Sequence, residues 1–162
     1  MNRNVRTAVN IAIIIAGTII CGALAYFITS ALVGHHLATA SNNMNYTRWQ
    51  EKFSTIVIFT GGLTGICSLI WFGLARGVFK IDSASGVGRR TIWAALAVIS
   101  LIGSIAIPQI YSAVLSIKIN IVVTIMFVIF FTLLGYWGLS IFTTPTAFKY
   151  TPLGAQLIRS RK

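Results

Sequence analysis

The sequence predicts an all-α fold: a single four-helix bundle integral to a membrane, with both termini on the cytoplasmic side. Three observations carry this expectation. Of 162 residues, 56% are hydrophobic and only 9% charged, with a mean hydropathy of +0.84. A soluble domain of this length could not keep so much apolar surface from water, whereas a bilayer accepts it on the outside of the fold. The apolar residues also fall into four long runs, and the basic residues lie between and beyond those runs.

The first run extends from about Val9 to Val33, with Arg3 and Arg6 just before it. Ala23-Leu24-Ala25 and Ala38-Thr39-Ala40 both fit a small-x-small cleavage pattern. The apolar stretch of about 25 residues exceeds an ordinary signal-peptide core, so the run is expected to be retained as a span. The second covers Ser54 to Ala75, bracketed by Lys52 and Arg76. The third covers Thr91 to Tyr111, entered directly from Arg89 and Arg90, and the fourth Ile119 to Phe142. Each has roughly 20 residues or more, enough to cross about 30 Å of hydrocarbon at 1.5 Å per residue. No Asp, Glu, Lys, Arg or His lies inside any of them.

Orientation follows from thirteen Lys plus Arg against two acids, Glu51 and Asp82. With both termini inside, Arg3, Arg6, Arg76, Lys80, Arg89, Arg90, Lys149, Arg159, Arg161 and Lys162 are cytoplasmic. Only Arg48, Lys52 and Lys118 are then outside, a strong positive-inside bias over short loops. In a soluble chain a net charge of +11 would suggest nucleic acid. Here topology and anionic lipid account for it, and no nucleic-acid partner is expected. The segment from Gly34 to Phe53 is expected to be a polar outer loop, and 143–162 a basic cytoplasmic tail. No connection is long enough for a soluble catalytic domain.

Three spans carry small-residue stripes that allow close helix approach: Gly17, Cys21 and Ala25; Gly61, Gly65 and Ser68; Ser100, Gly103 and Ser104. Hydrophobic driving force between helices is missing in lipid, so dispersion contacts across such faces do the packing. The stripes serve the chain's own bundle or a partner helix. The fourth span is bulky all round at Ile125–Phe131, which suggests broad exposure to lipid or a large partner. Trp49, Trp71, Trp93, Tyr136 and Trp137 fit an interfacial aromatic belt.

Chemistry-bearing constellations are sparse. Cys21 and Cys67 sit in apolar runs without a CxxC partner and read as packing residues. His35-His36 lacks the third and fourth ligands of a metal set, so neither a metal nor a cofactor is expected. Asn45-Tyr46-Thr47 is a glycosylation sequon by pattern, and more simply part of a polar loop. Pro108 and Gln109 could open a polar path through a broken helix. The simpler reading ends the helix at or shortly after Pro108, with Gln109 at the interface. Arg89 and Arg90, and Arg159, Arg161 and Lys162 beyond a Thr151-Pro152 helix start, are candidates to hold anionic headgroups.

Catalysis in the membrane plane needs an activated nucleophile, a metal or paired carboxylates, and the spans contain none of these. Ion pumps likewise place ionisable groups in the bilayer. The expected function is therefore a non-catalytic membrane subunit or assembly factor of a larger envelope complex, of secretion, conjugation or respiratory type. It would act by packing against other membrane subunits or further copies of itself, in a bacterial inner membrane. A small oligomeric channel or carrier, and a membrane-embedded immunity or inhibitor protein, are the alternatives.

Overall fold

The computed structural model describes residues 3–77, 86–144 and 152. Among these are four long helices and no strand: α1 (Arg3–Ala40), α2 (Tyr46–Gly77), α3 (Gly86–Leu115) and α4 (Ile121–Thr143). Each is long and apolar enough to cross a membrane. They form an antiparallel bundle in which α1 packs on α2, α2 on α3, and α4 against all three. The short α1–α2 and α3–α4 connections therefore share one end, here called the hairpin end. Lys118 N–H donates to Ser41 Oγ across them at 2.7 Å.

The turns explain their own sequences. Asn42 and Asn43 both take left-handed backbone (φ 60° and 54°), a conformation asparagine tolerates better than other non-glycine residues. Asn45 then caps α2, its Oδ1 accepting from Thr47 N–H at 3.0 Å. Helix α3 ends with Ser116 at φ 55°. There Ile117 N–H returns to Ser112 O and Ser116 N–H to Ala113 O, the Schellman arrangement. Lys52 Nζ adds a cation to this terminus by donating to Leu115 O at 2.6 Å. Asn120 caps α4 by accepting from Val123 N–H at 3.1 Å.

Helix α1 outruns the bilayer by the widest margin. The apolar part of α1, Val5–Ala40, has 36 residues, about 54 Å of helix against roughly 30 Å of hydrocarbon. The expected 20-residue outer loop is accordingly only residues 41–45, and its flanks are helical. An aromatic ladder stabilises this projection: His35 stacks on Tyr46 at 3.9 Å, and Trp49 on Phe53 at 4.7 Å. His35 is thus used in packing.

Helix α4 widens in its middle, where Val128–Gly138 is π-helical. Its side chains supply the reason. Thr124, Thr132, Tyr136, Ser140 and Thr144 recur at multiples of four residues, and all are buried. A four-residue step overshoots an α-helical turn by roughly 40°. The wider i→i+5 turn takes up that drift and keeps the series on one face.

The core has two parts. Toward the hairpin end, Trp49, Phe53, Ile56, Val123, Phe127 and Phe131 are fully buried. Toward the other end, Trp71, Trp93 and Tyr136 pack with Cys67 and Leu96. Phe127, Phe130 and Phe131 thus fill the centre of the bundle, while Ile125 and Ile129 of the same bulky run stay exposed. Helix α1 is instead the most exposed span, with 17% of its apolar window buried.

Candidate functional site

The most organised polar feature is a seam of side-chain hydrogen bonds along α3 and α4, extended by α2. Nearest the hairpin end, Gln109 Nε2 donates to Thr124 Oγ1 at 3.2 Å. Deeper, Ser104 Oγ donates to Ser100 O at 2.8 Å, leaving Thr132 as the donor across the 3.0 Å gap to Ser104. Thr64 of α2 meets Ser100 Oγ at 3.3 Å. Toward the other end, Trp93 Nε1 donates to Ser140 Oγ at 3.0 Å, and Tyr136 OH to Trp93 O at 2.9 Å. Trp71 Nε1 closes the series on Thr144 Oγ1 at 2.8 Å.

The expected packing residues face this interior or a neighbouring helix. A Cβ added to Gly17 would collide with Leu139 of α4, and one on Gly103 with Leu63 of α2. Gly61 lies under the Phe131 ring and Gly65 against Thr18. Cys21, Ala25, Ser68, Ser100 and Ser104 are all buried. Ser68 Oγ makes no hydrogen bond among the described residues, and neither do Thr29 Oγ1, Ser30 Oγ or Trp49 Nε1. Cys21 and Cys67 are free thiols, buried on α1 and α2.

Other expected positions are placed differently from their sequence readings. Pro108 is buried within α3, which runs on to Leu115 instead of stopping near the proline. Gln109 remains exposed, even though its amide reaches α4. Of the aromatic set only Trp137 is appreciably exposed, at 37%; Trp49, Trp71, Trp93 and Tyr136 are core residues. An indole or phenol can be buried when its polar atom finds a partner, as three of these do along the seam. Arg89 and Arg90 occupy the first turns of α3, half-exposed and exposed. Arg76 lies nearby in sequence at the end of α2, its guanidinium 4.8 Å from the Phe72 ring centre. Arg159, Arg161 and Lys162 lie outside the described residues.

Chemically the seam consists of hydroxyls, indoles, one phenol and the Gln109 amide. No group of three His, Cys, Asp or Glu side chains positioned for a metal occurs among the described residues. Hydroxyls without an adjacent base are poor nucleophiles, and these are committed to helix–helix contacts. Lys52, Asn120, Thr64 and Thr132 were the structural residues hardest to find in sequence. The N-cap at Asn120 and the four-residue spacing on α4 were the available signals.

The fold and seam define a multi-pass integral membrane protein, a four-helix bundle stitched internally by hydroxyl groups. No family model, curated protein or solved structure matches the chain.

Proposed function

We propose that the chain is a non-catalytic subunit or assembly factor of a larger membrane complex, working through its helix surfaces. One observation carries this reading. The bundle's interior polar side chains are largely spent on contacts between its own helices, while its apolar exterior is broad. Ile19, Ile20 and Phe27 on α1, Val98 and Ile102 on α3, and Phe142 on α4 all point outward. What such a molecule offers to others is surface for packing, and in lipid that surface works by shape and dispersion.

The proposal includes an N-in, C-in orientation in a bacterial inner membrane, supported by the distribution of Lys and Arg between the two ends. Arg89 and Arg90 then meet anionic headgroups at the cytoplasmic face. Isolation from native membranes in mild detergent tests the functional reading. A second membrane protein at fixed stoichiometry is expected, and a homogeneous monomer would count against it. Labelling single cysteines in whole cells tests the orientation. A cysteine at Asn43 should react with an impermeant reagent and one at Arg90 should not; the reverse pattern contradicts it.

A further inference from the structure

A groove of about 570 Å³ runs between α1 and α2 on the outside of the bundle. Ile15, Ile19 and Tyr26 line one wall and Ser54, Gly62 and Leu69 the other. It runs from Ile15 to Tyr26 on α1 and from Ser54 to Leu69 on α2, about 17–22 Å at 1.5 Å of rise per residue. One leaflet of hydrocarbon is about 15 Å deep, half of the roughly 30 Å core. At roughly 30 Å³ per methylene-sized group, taking liquid water as the measure, the volume holds about 19 such groups, one long acyl chain.

The polarity of the groove is one-sided. Of the three hydroxyls that line it, two are used within their own helices, Thr18 donating to Ile14 O at 2.8 Å and Ser54 to Glu51 O at 2.6 Å. The body of the groove therefore offers no free donor to a polar ligand. At the hairpin-end mouth stands the Tyr26 phenol, half-buried, with no hydrogen bond of its own among the described residues. One turn beyond Ser54, on the same face of α2, lies Glu51, with Arg48 a further turn out at the edge of that face. Both are exposed, and neither makes an ion pair among the described residues. The lining itself is uncharged, and the α2 face that forms it carries one carboxylate and one guanidinium, spaced i, i+3, in the two turns beyond Ser54.

We infer that this groove holds the acyl chain of a zwitterionic phospholipid with a primary-ammonium headgroup. Its ammonium meets Glu51, its phosphate Arg48, and an ester oxygen the Tyr26 hydroxyl. Charge complementarity selects this occupant. An anionic lipid would set its phosphate beside Glu51 with no ammonium to compensate, and a quaternary ammonium cannot donate a hydrogen bond to the carboxylate. The inference stands independently of the subunit reading.

Native mass spectrometry of the delipidated full chain provides the test, using equimolar phosphatidylethanolamine, phosphatidylcholine and phosphatidylglycerol. One retained ethanolamine lipid is expected, favoured over each competitor by about two- to fivefold, the range of an exposed ion pair. Glu51→Gln should erase that preference over choline while the chain still binds. Gly62→Phe, placed where a new side chain meets open space, should cut retention of all three by about tenfold or more. The surface variant Glu51→Gln keeps the test readable if Gly62→Phe fails to fold. Equal retention of the three lipids, preference for the glycerol lipid, or unchanged binding in Gly62→Phe would overturn the proposal. So would a photoreactive residue at position 58, on the groove wall, that captured a protein instead of lipid.

Discussion

A hydroxyl within a bilayer has few partners, and Ser104 and Thr132 find each other. Their bond is 3.0 Å long and fully enclosed by helices. Interhelical hydrogen bonds in membranes contribute less than their isolation suggests, because the unfolded chain in lipid also finds partners. A double-mutant cycle of Ser104→Ala and Thr132→Val should therefore give a coupling of about 0.6 kcal/mol, with roughly 1.7 as a ceiling. Reversible unfolding in detergent measures it; a coupling indistinguishable from zero would remove this bond from the account. Glycine contacts give a larger signal. Gly103→Val should destabilise by about 1–3 kcal/mol, since its Cβ would enter the space of Leu63. Gly62→Ala, facing open space, should stay within about 0.5 kcal/mol in the same assay. Equal costs at the two sites would mean that the bundle does not pack as described.

At the scale of elements, α4 holds the bundle in register. Its π-helical middle lets Thr132 reach Ser104 while Ser140 reaches Trp93, two contacts eight residues apart on α4. At α-helical pitch, eight residues would turn Ser140 roughly 80° away from Thr132. In a background lacking Cys21 and Cys67, the pair Ser104→Cys with Thr132→Cys should oxidise readily. Failure of this pair to cross-link would contradict the register of α4 against α3. The four spans were legible because long uncharged apolar runs admit one environment. The packing stripes were legible because small residues recur three or four positions apart on three of the spans. The α4 widening was not, since its polar spacing is read against α geometry until a partner helix shows which face must be kept. Trp71 and Trp93 misled for a related reason. An indole near a span end suits the interface equally well, and only the Ser140 and Thr144 hydroxyls opposite decide for the core.

At the scale of the molecule, the polar chemistry is turned inward and the apolar surface outward. Helix α1 shows this most clearly, pressing Gly17, Cys21 and Ala25 to the bundle while Ile20 and Phe27 face the membrane. If the molecule works by helix contact, its working surface is that exterior. Photoreactive residues in native membranes test this most directly, placed singly at the exterior positions 20, 27, 102 and 142 and at the interior position 132. The expected result is a discrete protein adduct of constant mass from at least one exterior position, with none to another protein from position 132. Exterior positions that yield no protein adduct at all would contradict the account.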